Sequence, residues 1–360
     1  MINKNELLIS VGMDSERLFT NSMYGGALVS IDKKTYEAEY LAFPGEGLPE
    51  DFIYSKSFIR ENNILYFLDK HGKLIKYNLD THGYDSFLVS DACCQEVDIF
   101  YTDMIKVNDE IFVFQKYSDA LKVINIRTKS TEDVHLLNEG ERPEAGEVIP
   151  SPVFCGSLIE GKKVSLITRD GSFLVTYDCL TRGRLATKIS EDSVDVVHMD
   201  YRNGLFYMLA RNGNIYTVSN KGTRELFFQN ETKEACEYRV MIVTDKSIWL
   251  FPGVGEAIAI IDIVKKSMKM YQGTPDDIEY FLIARKQSKY LLYTEDKVED
   301  VVYFANPTCV YMMRLNRKTN ELTWSRPIFK NHSKKLRHSM KQNEIIKEGE
   351  FVLTDFLGIV

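Results

Sequence analysis

Hydrophobic positions in this chain come in short runs of β-branched and aromatic residues, joined in pairs by brief polar turns. Ile64-Leu65-Tyr66-Phe67 leads through His71-Gly72-Lys73 into Leu74-Ile75-Lys76-Tyr77-Asn78. Val164-Ser165-Leu166-Ile167 leads through Arg169-Asp170-Gly171 into Leu174-Val175-Thr176-Tyr177-Asp178. Leu205-Phe206-Tyr207-Met208 leads through Arg211-Asn212-Gly213 into Ile215-Tyr216-Thr217-Val218-Ser219. Runs of this composition bounded by Asp-Gly or Asn-Gly are strands joined as hairpins, because those dipeptides reach positive φ at low cost. The second strand of each pair ends on an aliphatic or Tyr position followed by a small polar residue, and a charged turn comes next.

The same grammar recurs along the chain, with weaker copies ending at Ile31-Asp32, Ile124-Asn125, Ile261-Asp262 and Leu315-Asn316. The seven anchors Ile31, Tyr77, Ile124, Tyr177, Val218, Ile261 and Leu315 are separated by 46, 47, 53, 41, 43 and 54 residues, a mean near 47. That is the size of a four-stranded propeller blade, on the order of 40 to 50 residues. An inner strand precedes most hairpins, as in Phe52 to Ile59, Phe100 to Val107 and Tyr238 to Val243. An outer strand follows most anchors, as in Tyr36 to Phe43, Arg224 to Phe228 and Glu321 to Ile328. A sandwich of unrelated hairpins needs no regular period. The expected fold is therefore all-β: a β-propeller of four-stranded antiparallel blades, seven by this count, or six if one hairpin is an insertion.

The expected division is a propeller over residues 1–330 and a short C-terminal extension over 331–360. Around and within the extension, Lys330, Lys334, Lys335, Arg337, Lys341 and Lys347 make a basic linker; Phe351, Leu353, Phe356, Leu357 and Val360 make an apolar cap. The competing reading of this tail is a partner-docking or membrane-surface segment. Over about residues 5–330 the chain resembles divergent, uncharacterised bacterial β-propellers, similar in architecture to the WD-repeat and YVTN types but without their signature motifs. The resemblance lies in the period. Neither Trp249 nor Trp324 sits in a WD-repeat signature, and the paired glycines of kelch blades are absent apart from Gly25-Gly26. The resemblance implies a fold and no activity.

Composition narrows the class. The chain has 360 residues, 44% hydrophobic and 27% charged, which is enough apolar content for a core and excludes a disordered chain. No stretch of about 18 apolar residues occurs, so no membrane-spanning helix is expected. The net charge of -7 opposes generic binding to nucleic acid. Six cysteines without a Cys-x-x-Cys pair, and no apolar leader in Met1 to Gly12, point to reduced thiols and a cytoplasmic protein.

Charge is segregated by loop. In a four-stranded blade with strands A to D from the axis outward, D–A and B–C connections share one face and A–B and C–D turns the other. The expected D–A loops hold 19 acids, among them Glu46, Glu50, Glu139, Glu141, Glu147, Glu191, Asp195 and Asp277, against Arg142 and Lys233. The expected C–D turns hold 12 bases, among them Lys33, Arg127, Lys129, Arg182, Arg184 and Arg317, against Asp32 and Asp80. One acidic and one basic face follow. A funnel of negative potential favours a cation, an amine or a basic peptide. The plainer reading is a solvated rim.

Candidate chemistry gathers on inner strands. In Val197-His198-Met199-Asp200-Tyr201, period two puts His198 and Asp200 on one side of the strand, and Tyr101 and Asp103 repeat the pattern two blades earlier. His with carboxylates can hold a divalent metal or act as a general base, or can satisfy hydrogen bonds between blades. Arg239 and Arg285 can hold a carboxylate or phosphate, or neutralise nearby acids. The connector Glu139 to Glu147, which carries Glu141 and Glu147, is a lid or an ordinary insertion. Gly253-Val254-Gly255 lacks the third glycine of a nucleotide loop, and no Gly-x-Ser-x-Gly or His-Glu-x-x-His occurs. No catalytic residue, resident metal or cofactor is assigned. The expectation is a non-enzymatic binding or scaffold propeller taking a cationic peptide, protein segment or small ligand on its acidic face. The alternative is a propeller hydrolase or lyase acting on a glycan or peptide at the funnel, marked by paired carboxylates. A third reading is a subunit docked through its tail.

Overall fold

The computed structural model describes residues 8, 11–22, 26–50, 52, 55–69, 72–89, 101–115, 118–141, 153–219, 222–231, 238–253, 257–278, 292–306 and 309–330. Seven sheets follow one another along the chain, and the four blade strands of each pair antiparallel with their neighbours in sequence order. The innermost strands, A, of blades 1 to 7 are Gly12–Met13, Ser55–Glu61, Tyr101–Val107, Phe154–Glu160, Val196–Arg202, Tyr238–Val243 and Leu292–Asp296. The chain is a seven-bladed β-propeller, which removes the six-blade alternative. The only described helix is the single 3-10 turn Glu139–Glu141.

The hairpin grammar has a specific cause. Each anchor residue is buried at the end of a third strand, C, and the polar residue after it organises the C–D turn. Asp32, Asn78, Asn125, Asp178, Asp262 and Asn316 each accept hydrogen bonds on Oδ1 from the N–H groups two and three residues on. The residue four positions on then takes positive φ, from 55° at His82 to 65° at Asn320. The Asp or Asn side chain substitutes for a backbone turn, which is why this position is Asp or Asn in six blades. Ser219 stands there in blade 5, where Gly222 has φ 81°.

The core is distributed. Seven apolar clusters lie at the seven junctions between adjacent blades, the seventh joining blade 7 to blade 1. Strand B is sandwiched on both sides, so it reads as a continuous apolar run. In Leu205–Ala210, Phe206 and Met208 pack toward blade 4, while Tyr207 and Leu209 pack toward blade 6.

Ring closure uses no shared blade. After blade 7, Ile328–Phe329 adds in parallel to the outer strand Glu37–Pro44 of blade 1, and Phe329 stacks on Tyr40 with ring centroids 4.7 Å apart. At the same seam Lys33 and Asp296 form a buried ion pair at 2.5 Å. The expected outer strand Glu321 to Ile328 is thus two pieces: Glu321–Ser325 completes blade 7, and Ile328–Phe329 belongs to blade 1. The expected cap over 331–360 lies outside the described residues.

Candidate functional site in the central channel

Strand A has a free edge toward the ring axis, and N–H groups on that edge need partners. In blade 6 two of them are taken by side chains of blade 5. Met241 N–H donates to His198 Nδ1 at 3.4 Å, and Val243 N–H donates to Asp200 Oδ2 at 2.6 Å. Period two on both strands aligns these pairs, since alternate side chains of one strand meet alternate N–H groups of the other.

Blade 7 reaches the same residues from the far side of blade 6. Tyr293 Oη lies 2.9 Å from His198 Nε2. Arg317, from the C–D turn of blade 7, places one nitrogen 3.1 Å from Asp200 Oδ1 and 2.6 Å from Glu295 Oε1. Only 7% of the Arg317 side chain is exposed. Burial alone would lower its pKa, but Asp200 and Glu295 outweigh burial, raise it, and keep the guanidinium charged. Burial pushes the Glu295 carboxyl up, and Arg317 offsets part of that. Arg202 bonds both oxygens of Asp300 at 2.7 and 2.8 Å and also pairs with Asp245. At this end of strands A the charges of these residues are paired with one another. Asp200 and Glu295 are therefore clamped on one cation, not spaced as the open acid and nucleophile of glycosidase chemistry.

The His198 tautomer follows from its partners. Met241 N–H can only donate, so Nδ1 accepts and carries no proton. Nε2 of the neutral ring then carries the proton and donates to Tyr293 Oη. The Tyr293 hydroxyl keeps its own proton to donate elsewhere. Burial, then the charges of Glu295, Asp200 and Asp103, raise the Tyr293 pKa well above its ordinary value, so the group stays a donor.

Asp103 faces this layer from blade 3. It lies four residues before Val107, which closes its A–B hairpin with Glu110; His198 lies four residues before Arg202, which closes with Leu205. Asp103 thus matches the level of His198, not that of Asp200 as the repeated sequence pattern suggests. Both strands keep an unbroken register from the hairpin back to these residues and bulge just before them. Asp103 Oδ2 accepts a hydrogen bond from the Ser157 hydroxyl of blade 4. The residue is half-buried. Burial raises its pKa to about 6, opposed by the Ser157 bond and the charge of Lys297.

Of the other sequence candidates, Glu141 is placed apart from this cluster. Arg239 Nη1 donates to Tyr238 O at 3.3 Å. Glu141 accepts from Asn138 N–H at 2.8 Å and pairs with Arg184, which ties it to the outer strand Gly183–Lys188 of blade 4. Tyr101 begins strand A of blade 3 opposite Gln115, and its side chain lies outside the description. Glu147 and Arg285 lie outside the described residues. Sequence reasoning missed Ser157, Tyr293, Glu295 and Arg317. The aromatic-x-acid pattern of Tyr101-x-Asp103 and His198-x-Asp200 recurs as Tyr293-x-Glu295, a signal that was there to find. Nothing local marks Arg317, which sits in a charged turn like its six counterparts.

Three of the C–D bases are met by acids of neighbouring turns and strands: Lys33 by Asp296, Arg182 by Glu110 and Glu132, Arg317 by Glu295. On the D–A side, Glu50, Glu139, Asp192, Glu231 and Asp276 are exposed, while Asp195 is held between Arg169 and Arg211. Among the described residues no group of three His, Cys, Asp or Glu side chains is arranged to hold a metal ion, and no helix is long and apolar enough to cross a membrane.

No protein-family model and no curated protein sequence matches the chain. Solved structures do. YCF48 bound to D1 peptide is similar with a TM-score of 0.56 at 11% identity, over 84% of this chain and 90% of that one. Virginiamycin B lyase from Staphylococcus aureus is similar with a TM-score of 0.50 at 10% identity, over 75% of this chain and 83% of that one. The extracellular domain of BT4673 from B. thetaiotaomicron is similar with a TM-score of 0.54 at 12% identity, over 83% of this chain and 39% of that one. At such identities the likeness shows the fold alone, and bacterial propellers of this fold include both binders and a lyase.

Proposed function

We propose that this chain is a binding propeller whose D–A face and channel mouth receive a cationic group carried by a peptide or protein partner. The observation that carries the reading is Asp103. It lies near the start of its inner strand, and so near the D–A mouth, half-buried and with one oxygen on Ser157. Asp200 and Glu295 have Arg317; among the described residues Asp103 has the neutral Ser157 hydroxyl within hydrogen-bond distance and no ion-pair partner there. A cation entering from the D–A side supplies what the described residues do not, and the exposed acids of that face steer it. The peptide held by YCF48 supports the idea that this architecture can host such a partner. The buried cysteines Cys155, Cys179 and Cys309, none in a disulfide, fit a reducing, cytoplasmic setting.

The test is fluorescence anisotropy with dye-labelled tetralysine and tetraglutamate peptides against the full chain. Tetralysine is expected to bind, with affinity falling as salt rises and about tenfold weaker in Asp103→Asn. Absence of tetralysine binding, or binding indifferent to Asp103→Asn, overturns the proposal.

A further inference from the structure

Resting on that binding reading, we infer that the group taken in the channel is the amino terminus of a polypeptide, its ammonium on Asp103 and its first carbonyl oxygen on the Tyr293 hydroxyl.

Three observations converge. The first is the relay from blade 6. Met241 N–H fixes the His198 tautomer, His198 Nε2–H fixes the Tyr293 oxygen, and the remaining Tyr293 proton is left to donate. The second is the shared level. Asp103 and His198 occupy equivalent places on strands A of blades 3 and 5, and Tyr293 Oη is bonded to His198. An acceptor for a cation and a donor for a carbonyl thus share one layer of the channel. The third lies beneath: Arg317 is taken by Asp200 and Glu295, so its charge is not open to a carboxylate.

The chemistry then selects. A lysine ammonium or an arginine guanidinium offers donors only, and would displace water from the Tyr293 proton without replacing its bond. A polypeptide amino terminus carries an ammonium and a carbonyl oxygen within one residue. A free amino acid carries the same ammonium beside a carboxylate, and the neutral Tyr293 hydroxyl gives that second charge no ion-pair partner.

The experiment compares tetralysine with a free amino terminus and its N-acetylated form, both labelled at the C-terminus, on wild type and Tyr293→Phe. Acetylation is expected to weaken binding about tenfold or more, while the lysine side chains stay the same. Tyr293→Phe is expected to weaken the free-terminus peptide and leave the acetylated one unchanged, with an unaltered circular-dichroism melt showing the variant is folded. Equal binding of the two peptides overturns this inference and leaves the cationic-partner reading standing. Failure of both to bind overturns the two together. If Tyr293→Phe melts early, Tyr293→Trp, which keeps an N–H donor, serves as the second variant; free-terminus binding as weak as in Tyr293→Phe would also overturn the inference.

Discussion

One nitrogen of Arg317 stands between Asp200 and Glu295, 3.1 Å from the first carboxylate and 2.6 Å from the second. The three residues come from the inner strands of blades 5 and 7 and a turn of blade 7, so the clamp ties blades on either side of blade 6. Arg317→Met leaves two carboxylates in the channel without their cation. Stability is expected to fall by about 3–5 kcal/mol, because an unpaired buried charge costs more than the pair returned. The double variant Arg317→Met, Glu295→Gln should recover part of that. Urea midpoints measure both, and an unchanged midpoint in the single variant would refute the clamp.

Asp103 sets a pH dependence of definite sign. Its carboxyl is raised to about 6 in the folded chain, by burial against Ser157 of blade 4 and beside Tyr293, Glu295 and Lys297 of blade 7. Unfolded, it titrates near about 4. Between those values the folded state binds the proton more tightly, so its contribution to stability is present at about pH 4 and lost as pH rises through about 6. Asp103→Asn is expected to remove that slope and to gain about 1–2 kcal/mol at pH 7, with no gain at pH 4. Asp195, Asp296 and Asp300 are held below the ordinary carboxylate range, despite burial, by Arg211 and Arg169, by Lys33 and by Arg202. Their contribution runs the other way and is lost only as pH falls below about 4. Denaturation curves at steps from about pH 2 to about pH 7 separate the two windows.

The seam between blades 7 and 1 depends on residues beyond the seventh blade. Phe329 is buried against Tyr40 and the shared apolar cluster. Phe329→Ala is expected to cost about 3 kcal/mol and to lower the thermal midpoint. Lys33→Met strands Asp296 at the same seam and should cost a comparable amount, about 3 kcal/mol. If either variant melts like wild type, the seam does not limit stability.

Cys179 is buried beside Asp178, and burial first, then that charge, push its thiol up to about 12. The thiolate is the reactive form, so Cys179 is expected to resist iodoacetamide at pH 8 in the native protein and to react once unfolded. Peptide mass mapping reads this directly; rapid native labelling would contradict the packing.

Much of this molecule was legible along the chain. The anchors Ile31 to Leu315 are the buried ends of seven C strands because an alternating strand, an Asp or Asn that folds the next turn onto itself, and a hairpin glycine all act within a few residues of one another. Local rules of period and turn chemistry suffice for that. That His198 and Asp200 share one side of their strand was also legible, since two-residue alternation is a property of one strand.

What local pattern does not hold is who meets whom. Tyr293 reaches His198 across 95 positions of sequence, and Arg317 reaches Asp200 across 117. Whether a turn arginine is solvated like Arg127 or buried like Arg317 depends on which acids the neighbouring blade presents. The sequence by itself determined the blades, because each is built from contacts between consecutive strands. Only the closed ring decided the channel. There, charges from blades 3, 5 and 7 compete for one low-dielectric space, and their protonation and pairing depend on all of them at once.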